Sequence, residues 1–244
     1  MSSSLVDKPP QVIEYPESDG QPIAENTLQF RWIMTIKGGF DAVFADHANV
    51  FVAGDLLWYP VEGDPTIRQA PDIMIALGRP KGDRGSYMQW KEDGIAPQVV
   101  FEILSPGNRL NEMTRKHQFY ERYGVEEYYT YDPDRGELFG WQRSDGLLKE
   151  VPKMEGWTSP RLRTRFELVG GEIFLIGPDG RRFATYLELV EQRQETERMI
   201  EEATRAQEQA EREREVLKQE KAQALREVER LRAQLNALGI KPDV

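Results

Sequence analysis

The 244 residues distribute apolar positions in three different ways, and each way predicts a different kind of structure. Residues 1–25 are rich in Ser, Pro and Gly with few aliphatics, so no apolar face can form and an extended or disordered lead-in is expected. Residues 26–186 carry short apolar runs, aromatics and turns, the pattern of a globular domain. From Leu187 onward proline and glycine vanish until Gly239, and Glu, Arg, Gln, Ala and Leu dominate, which predicts one long helical, coiled-coil tail over 187–244.

Within the domain, Asn26 is a candidate N-cap, and Phe30, Ile33, Met34 and Ile36 fall roughly on one helical face; the pair Gly38-Gly39 is expected to break or bend that helix. "ANVFVAGDLLWYPV" reads as a strand or hairpin, and "PDIMIAL" and "QVVFEIL" as short buried strands. "PGNRLNEMTRKHQFYERYG" reads as a helix with Asn108 as N-cap and Gly124 just past its end. "EEYYTYDP", "ELFGWQR", "LLKEVP", "RFELVG" and "EIFLIGPDGRRF" continue as strands. Strands flanking helices, with more strands following, predict an α/β domain built on a mixed sheet. In the tail, Leu217, Ala224, Val228, Leu231, Leu235 and Leu238 keep coiled-coil spacing, interrupted upstream by Gln207, Arg214 and Lys221. Association with a second copy is expected from that seam; the alternative is a solvated helix laced with Glu/Arg pairs four residues apart.

Composition narrows the chemistry. There are no cysteines and only two histidines, His47 and His117, so thiolate sites are excluded and a histidine-rich zinc site is disfavoured. Any bound metal would be held by oxygen, which suits magnesium, manganese or calcium. No run of about 18 apolar residues occurs and the N-terminal stretch has no leader pattern, so a cytoplasmic protein without membrane spans is expected. The net charge of −10 argues mildly against nonspecific polyanion binding. Local basic candidates remain at Arg79–Arg84, at Arg109 with Arg115 and Lys116, and at Arg161–Arg165.

One carboxylate breaks the strand pattern. In "QVVFEIL" the period of two puts Val99, Phe101 and Ile103 on one face and Val100, Glu102 and Leu104 on the other, so Glu102 points into apolar surroundings either way. It needs a cation, a set of hydrogen bonds or a raised pKa, and a structural salt bridge would serve as well as a metal. Asp72 opens the other buried run; it is either a turn-former after Pro71 or a second acid meeting Glu102 at one end of the sheet. Lys116 shares a helical stripe with Met113, Tyr120 and Tyr123, which aims its ammonium at the sheet; pairing with Glu112 one turn earlier is the alternative.

"APD" at 70–72, "PQVVFEILSPGNR" from Pro97, Lys116, "FYERYGVEEYYTYDP" from Phe119 and the charged tail together resemble the Uma-type family of restriction-endonuclease-like proteins, within the PD-(D/E)XK nuclease superfamily. The resemblance covers residues 25–186. It implies a restriction-endonuclease-like core, a central mixed sheet flanked by helices with a metal site at the sheet end. Carried over, Asp72 and Glu102 would bind Mg²⁺ or Mn²⁺ together with the backbone carbonyl of Ile103, and Lys116 would replace the lysine that the superfamily keeps at the position of Leu104. Tyr120 and Glu112 would support the site, and Glu25 is the nearest first-helix acid to complete it. The implied reaction is hydrolysis of DNA phosphodiesters by a homodimer joined through its tail. An inactive nuclease-like scaffold for DNA or protein is the competing reading, favoured by Leu104 and the acidic balance.

Overall fold

The computed structural model describes residues 13–107 and 110–237; the expected N-cap Asn108, the basic candidate Arg109 and the seam residue Leu238 lie outside them. The chain forms two compact units, divided between Tyr186 and Leu187.

The first unit opens with helix α1, Thr27–Val43, whose N-cap Asn26 accepts the Gln29 backbone N–H at 2.8 Å. The helix runs unbroken through Gly38 and Gly39, against the expected break. A glycine inside a helix costs about 1 kcal/mol relative to alanine, and at Gly39 packing explains its presence: a Cβ would overlap the ring of Phe183, which meets Phe40 edge-on at 4.9 Å. The buried stripe is Gln29, Trp32, Ile33, Ile36 and Phe40, while Phe30 and Met34 are about half exposed. The apolar face is therefore rotated from the expected one, toward Trp32 and Phe40.

The strands follow as β1 (Val50–Gly54), β2 (Trp58–Tyr59), β3 (Ile73–Leu77), β4 (Tyr87–Met88) and β5 (Val99–Ile103). Helix α2 (Leu110–Arg122) leads to β6 (Glu127–Asp132), β7 (Glu137–Ser144), β8 (Leu147–Glu150), β9 (Arg165–Val169) and β10 (Glu172–Ile176). Six strands form one mixed sheet in the order β1-β3-β5-β6-β7-β8, in which only β5 and β6 are parallel. β2 and β4 form a separate parallel pair rather than a hairpin with β1, and β9 and β10 form their own hairpin.

The parallel β5–β6 pair places the site. Parallel neighbours need a crossover, so the chain must leave the end of β5, pass over the sheet as α2 and return at the start of β6. One face of the sheet, with Ile73, Ile75, Val99, Phe101 and Tyr129, packs under α1 and the β9–β10 hairpin. The other, with Ala53, Met74, Val100 and Tyr128, packs with Trp58, Tyr87 and Tyr120. Residues 13–25 hold no helix or strand, yet Tyr15 seats its ring against Tyr59 and Trp90 at 5.2 and 5.0 Å, and the carbonyl of Pro16 accepts the Tyr59 hydroxyl.

The second unit is carried by α3, Tyr186–Ala237. Leu217, Val228 and Leu231 of the seam are exposed along it, and Arg193–Glu197, Arg205–Glu201 and Arg212–Glu208 pair one turn apart. Among the described residues no helix is long and apolar enough to cross a membrane.

Candidate active site

The site is built where β1, β3 and β5 run side by side. Ile73 lies opposite Phe101 in the antiparallel β3–β5 register, so one step further Asp72 lies opposite Glu102. Gly54 lies opposite Ile73, and the same step sets Asp55 against Asp72. Three carboxylate residues thus stand in one cross-strand row. Opposed residues share a face, and residues two positions away, Ala53, Met74 and Val100, all belong to the core on the α2 side. The row therefore sits on that side.

Asp55 has no counterpart in the sequence reading. It follows β1 in a left-handed conformation, φ 49°, which aspartate tolerates better than most residues, and its N–H reaches the carbonyls of Pro71 and Asp72 at 3.1 and 3.2 Å. The only local signal was an acid ending the run "VFVAG"; placing it in the row requires the strand register.

Helix α2 brings the positive charge. Lys116 Nζ lies 2.8 Å from Glu102 Oε2, and the buried Tyr120 hydroxyl donates to Glu102 Oε1. Glu102 is 2% exposed and the Lys116 side chain 14%, so this is a nearly dry ion pair. Lys116 makes no ion pair with Glu112, whose charge acts on it only as a minor influence. Leu104 gives its N–H to the Tyr131 carbonyl at 2.8 Å, and no charge is supplied from that position.

Asp72 Oδ2 accepts the Ile103 N–H at 2.6 Å, and the Ile103 carbonyl accepts Gln29 Nε2 at 2.7 Å. The first-helix side chain that reaches this strand end is therefore an amide. Glu25 instead accepts the Ser105 hydroxyl, while its backbone N–H is held by Gln29 Oε1 at 2.8 Å. Both histidines pack edge-on against aromatic rings, His47 on Phe44 and His117 on Tyr128 and Trp141.

The electrostatics follow from crowding. Burial, then the neighbouring Glu102, push the Asp72 carboxyl well above its ordinary value, with Lys116 and the Ile103 N–H opposing them. Burial and Asp19 raise Asp55 in the same sense, with Lys116 again opposing. Burial by itself would lower Lys116, but Glu102 and Asp72 outweigh it and hold the ammonium above its usual range. Burial, then Glu102, raise Tyr120, which stays a neutral donor.

The donor set was tested against a divalent ion. Two carboxylates and a carbonyl are hard oxygen ligands, and Mg²⁺ is usually bound by one or two carboxylates with water and substrate phosphate filling the remaining positions. The Ile103 carbonyl keeps a second lone pair beside its bond to Gln29. The residues present therefore fit such an ion, although among the described residues no three His, Asp or Glu converge closely enough to form a ready cage.

An acid with a raised pKa in the fold contributes its stability at low pH and loses it as pH rises through the folded value. Ionising Asp72 at neutral pH is accordingly a cost. Asp72→Asn keeps an oxygen to accept the Ile103 N–H and removes the repulsion, so in metal-free buffer at pH 7–8 it is expected to stabilise the fold by about 1 kcal/mol. Denaturant titration checks this; a clear loss of stability would contradict the like-charge row.

The basic segments are largely committed elsewhere. Arg79 and Arg84 both hold Glu92, at 2.8 and 2.7 Å, and Lys81 binds the carbonyls of Phe44 and Ala45. Arg161 pairs with Glu126 and Arg165 with Glu167. With 42 acidic against 32 basic residues, partners are in surplus.

The model of the Uma2 family, described as "Putative restriction endonuclease", matches residues 7–168. No curated protein sequence matches the chain. A crystal structure described as a putative nuclease belonging to DUF820, from Anabaena variabilis, is similar at 16% identity and a TM-score of 0.39, covering 53% of this chain and 70% of that one.

Proposed function

Starting from the fact that the chain belongs to the Uma2 restriction-endonuclease family, we propose that it is a Mg²⁺- or Mn²⁺-dependent endonuclease acting on DNA phosphodiesters. The observation that carries this reading is the meeting of Asp72 and Glu102 in one cross-strand row with Lys116 delivered by the crossover helix. A structural salt bridge needs no second acid beside it.

Asp72, Glu102 and the Ile103 carbonyl would hold the ion; when bound it supplies Lewis acidity that lowers the pKa of water and offsets charge on phosphoryl oxygens. Tyr120 fixes one Glu102 oxygen, leaving that carboxylate little freedom to rotate. Lys116 keeps its proton and would stabilise negative charge developing on the phosphate, a preorganised electrostatic role. Gln29 holds the Ile103 carbonyl in position through its amide.

Supercoiled plasmid with the purified protein tests the reading: nicking is expected with Mg²⁺ or Mn²⁺ and none with EDTA. Absence of nicking with either ion would favour the scaffold reading. Besides Leu104 and the acidic balance, the prior engagement of both Glu102 oxygens by Lys116 and Tyr120 favours that reading.

The exposed seam of α3 is the proposed homodimer contact. The full chain of 28.2 kDa is expected to sediment at twice that mass, and a truncation lacking residues 187–244 as a single chain. Equal stoichiometry in the two would remove the tail from the account.

A further inference from the structure

We propose that the cleft between the loop ahead of Asp72 and the outer side of α2 is the seat of the DNA strand next to the scissile phosphate. The proposal rests on the nuclease reading and adds to it a substrate-binding site.

The cleft, about 300 Å³, is lined by Thr66 and Arg68 on one wall and Gln118, Phe119, Arg122 and Tyr123 on the other. Its volume is at the small end of ligand clefts. Each wall lies close in the chain to a residue of the candidate site. Arg68 lies four residues before Asp72, and Arg122 lies six after Lys116, about 9 Å along the helix axis.

Charge distinguishes this cleft from the paired arginines named above. Among the described residues neither Arg68 nor Arg122 has a carboxylate partner. Arg68 makes one long bond to the Tyr59 hydroxyl at 3.5 Å, and Arg122 lies over the Tyr123 ring at 5.5 Å. Two guanidiniums that line one cleft without a carboxylate partner differ from Arg79, Arg84 and Arg161, which nearby acids hold. Guanidinium is the side chain best matched to phosphate oxygens.

The rings supply the second half of the recognition. Phe119 and Tyr123 lie 4.7 Å apart and both pack edge-on against the buried Trp58, at 5.4 and 6.4 Å. They form a supported aromatic surface that is itself only partly buried. A strand of nucleic acid offers this pair of demands together, negative phosphates at regular intervals and flat bases or sugars between them. Arg68 and Arg122 would each take one phosphate, with the intervening nucleotide against Phe119 and Tyr123.

The test is binding of a fluorescein-labelled single-stranded oligonucleotide, and of its duplex, followed by anisotropy in EDTA. EDTA separates the cleft from the ion. Arg68→Gln with Arg122→Gln is expected to weaken binding at least tenfold near 50 mM salt and to reduce the slope of log K against log salt for the single strand by about 1.4, two phosphates at about 0.7 each. Arg31→Gln with Arg163→Gln removes the same charge elsewhere and is expected to leave affinity within about twofold. Arg122→Gln alone, an exposed position, is expected to fall between. Wild-type protein that binds neither DNA form, or a cleft pair and a control pair that weaken binding equally, would overturn the proposal. Failure of the nuclease reading looks different: the cleft pair loses binding, but wild-type protein nicks no plasmid with Mg²⁺ or Mn²⁺.

Discussion

Glu102→Gln is expected to abolish metal-dependent nicking, with a loss of about a thousand-fold or more, while leaving a folded protein. The substitution keeps the shape of the side chain and an oxygen to accept the Tyr120 hydroxyl, but removes the charge with which Glu102 would hold the proposed ion. A bound divalent ion offsets several kcal/mol of charge in the reacting phosphate, and each 1.36 kcal/mol is tenfold in rate, so about 4 kcal/mol corresponds to the stated loss. Plasmid nicking by the variant and the wild type, purified side by side, checks it. Equal nicking by both would assign the activity to another site or another protein.

Lys116→Met is expected to produce the largest loss of stability in the site, about 3 kcal/mol or more, because it leaves the Glu102 carboxylate buried with Tyr120 as its one remaining partner. Breaking a buried pair by removing one member commonly costs about 3–5 kcal/mol, whereas replacing both members costs far less. Lys116→Met with Glu102→Gln is therefore expected to recover most of the loss. Glu102→Gln alone should cost less than Lys116→Met, since the lysine side chain retains some exposure and can turn toward water. Urea titrations of the four proteins with unchanged slope would measure the coupling. A double variant as unstable as Lys116→Met would show that the pair is not the origin of the effect.

These two predictions rest on geometry that was partly legible in the sequence. The period of two in "VVFEIL" put Glu102 on the side of the sheet opposite Phe101, and the helical period of α2 put Lys116 on the stripe with Tyr120; a crossover helix must lie over the strand it leaves. Both arguments use local periods, and local periods are what a sequence displays. The identity of the sheet as mixed followed in the same way, from strands interrupted by two helices.

What was not legible depended on pairing between distant segments. Asp55 joins the carboxylate row only because β1 pairs with β3 in one particular register. The rotation of α1 depended on which of its large side chains the sheet could cover, and Gly39 on the approach of Phe183 from far along the chain. The basic segments looked available for phosphate because their acidic partners, such as Glu126 for Arg161, lie in other elements. Arg68 and Arg122, ordinary in the sequence, became notable only because distant segments bring them to one cleft.

At Asp72 the stability of the fold and the proposed site pull in opposite directions. Its carboxyl is raised by burial and by Glu102, so removing its charge is expected to stabilise the protein and to disable it. A divalent ion would relieve the same repulsion.

The most direct measurement is a crystal of the protein soaked in Mn²⁺ and examined by anomalous scattering. The account predicts one peak between the carboxylates of Asp72 and Glu102, within about 2.0–2.6 Å of an oxygen of each and beside the Ile103 carbonyl. A soaked crystal with Mn²⁺ bound only elsewhere, and the Lys116–Glu102 pair undisturbed, would contradict it.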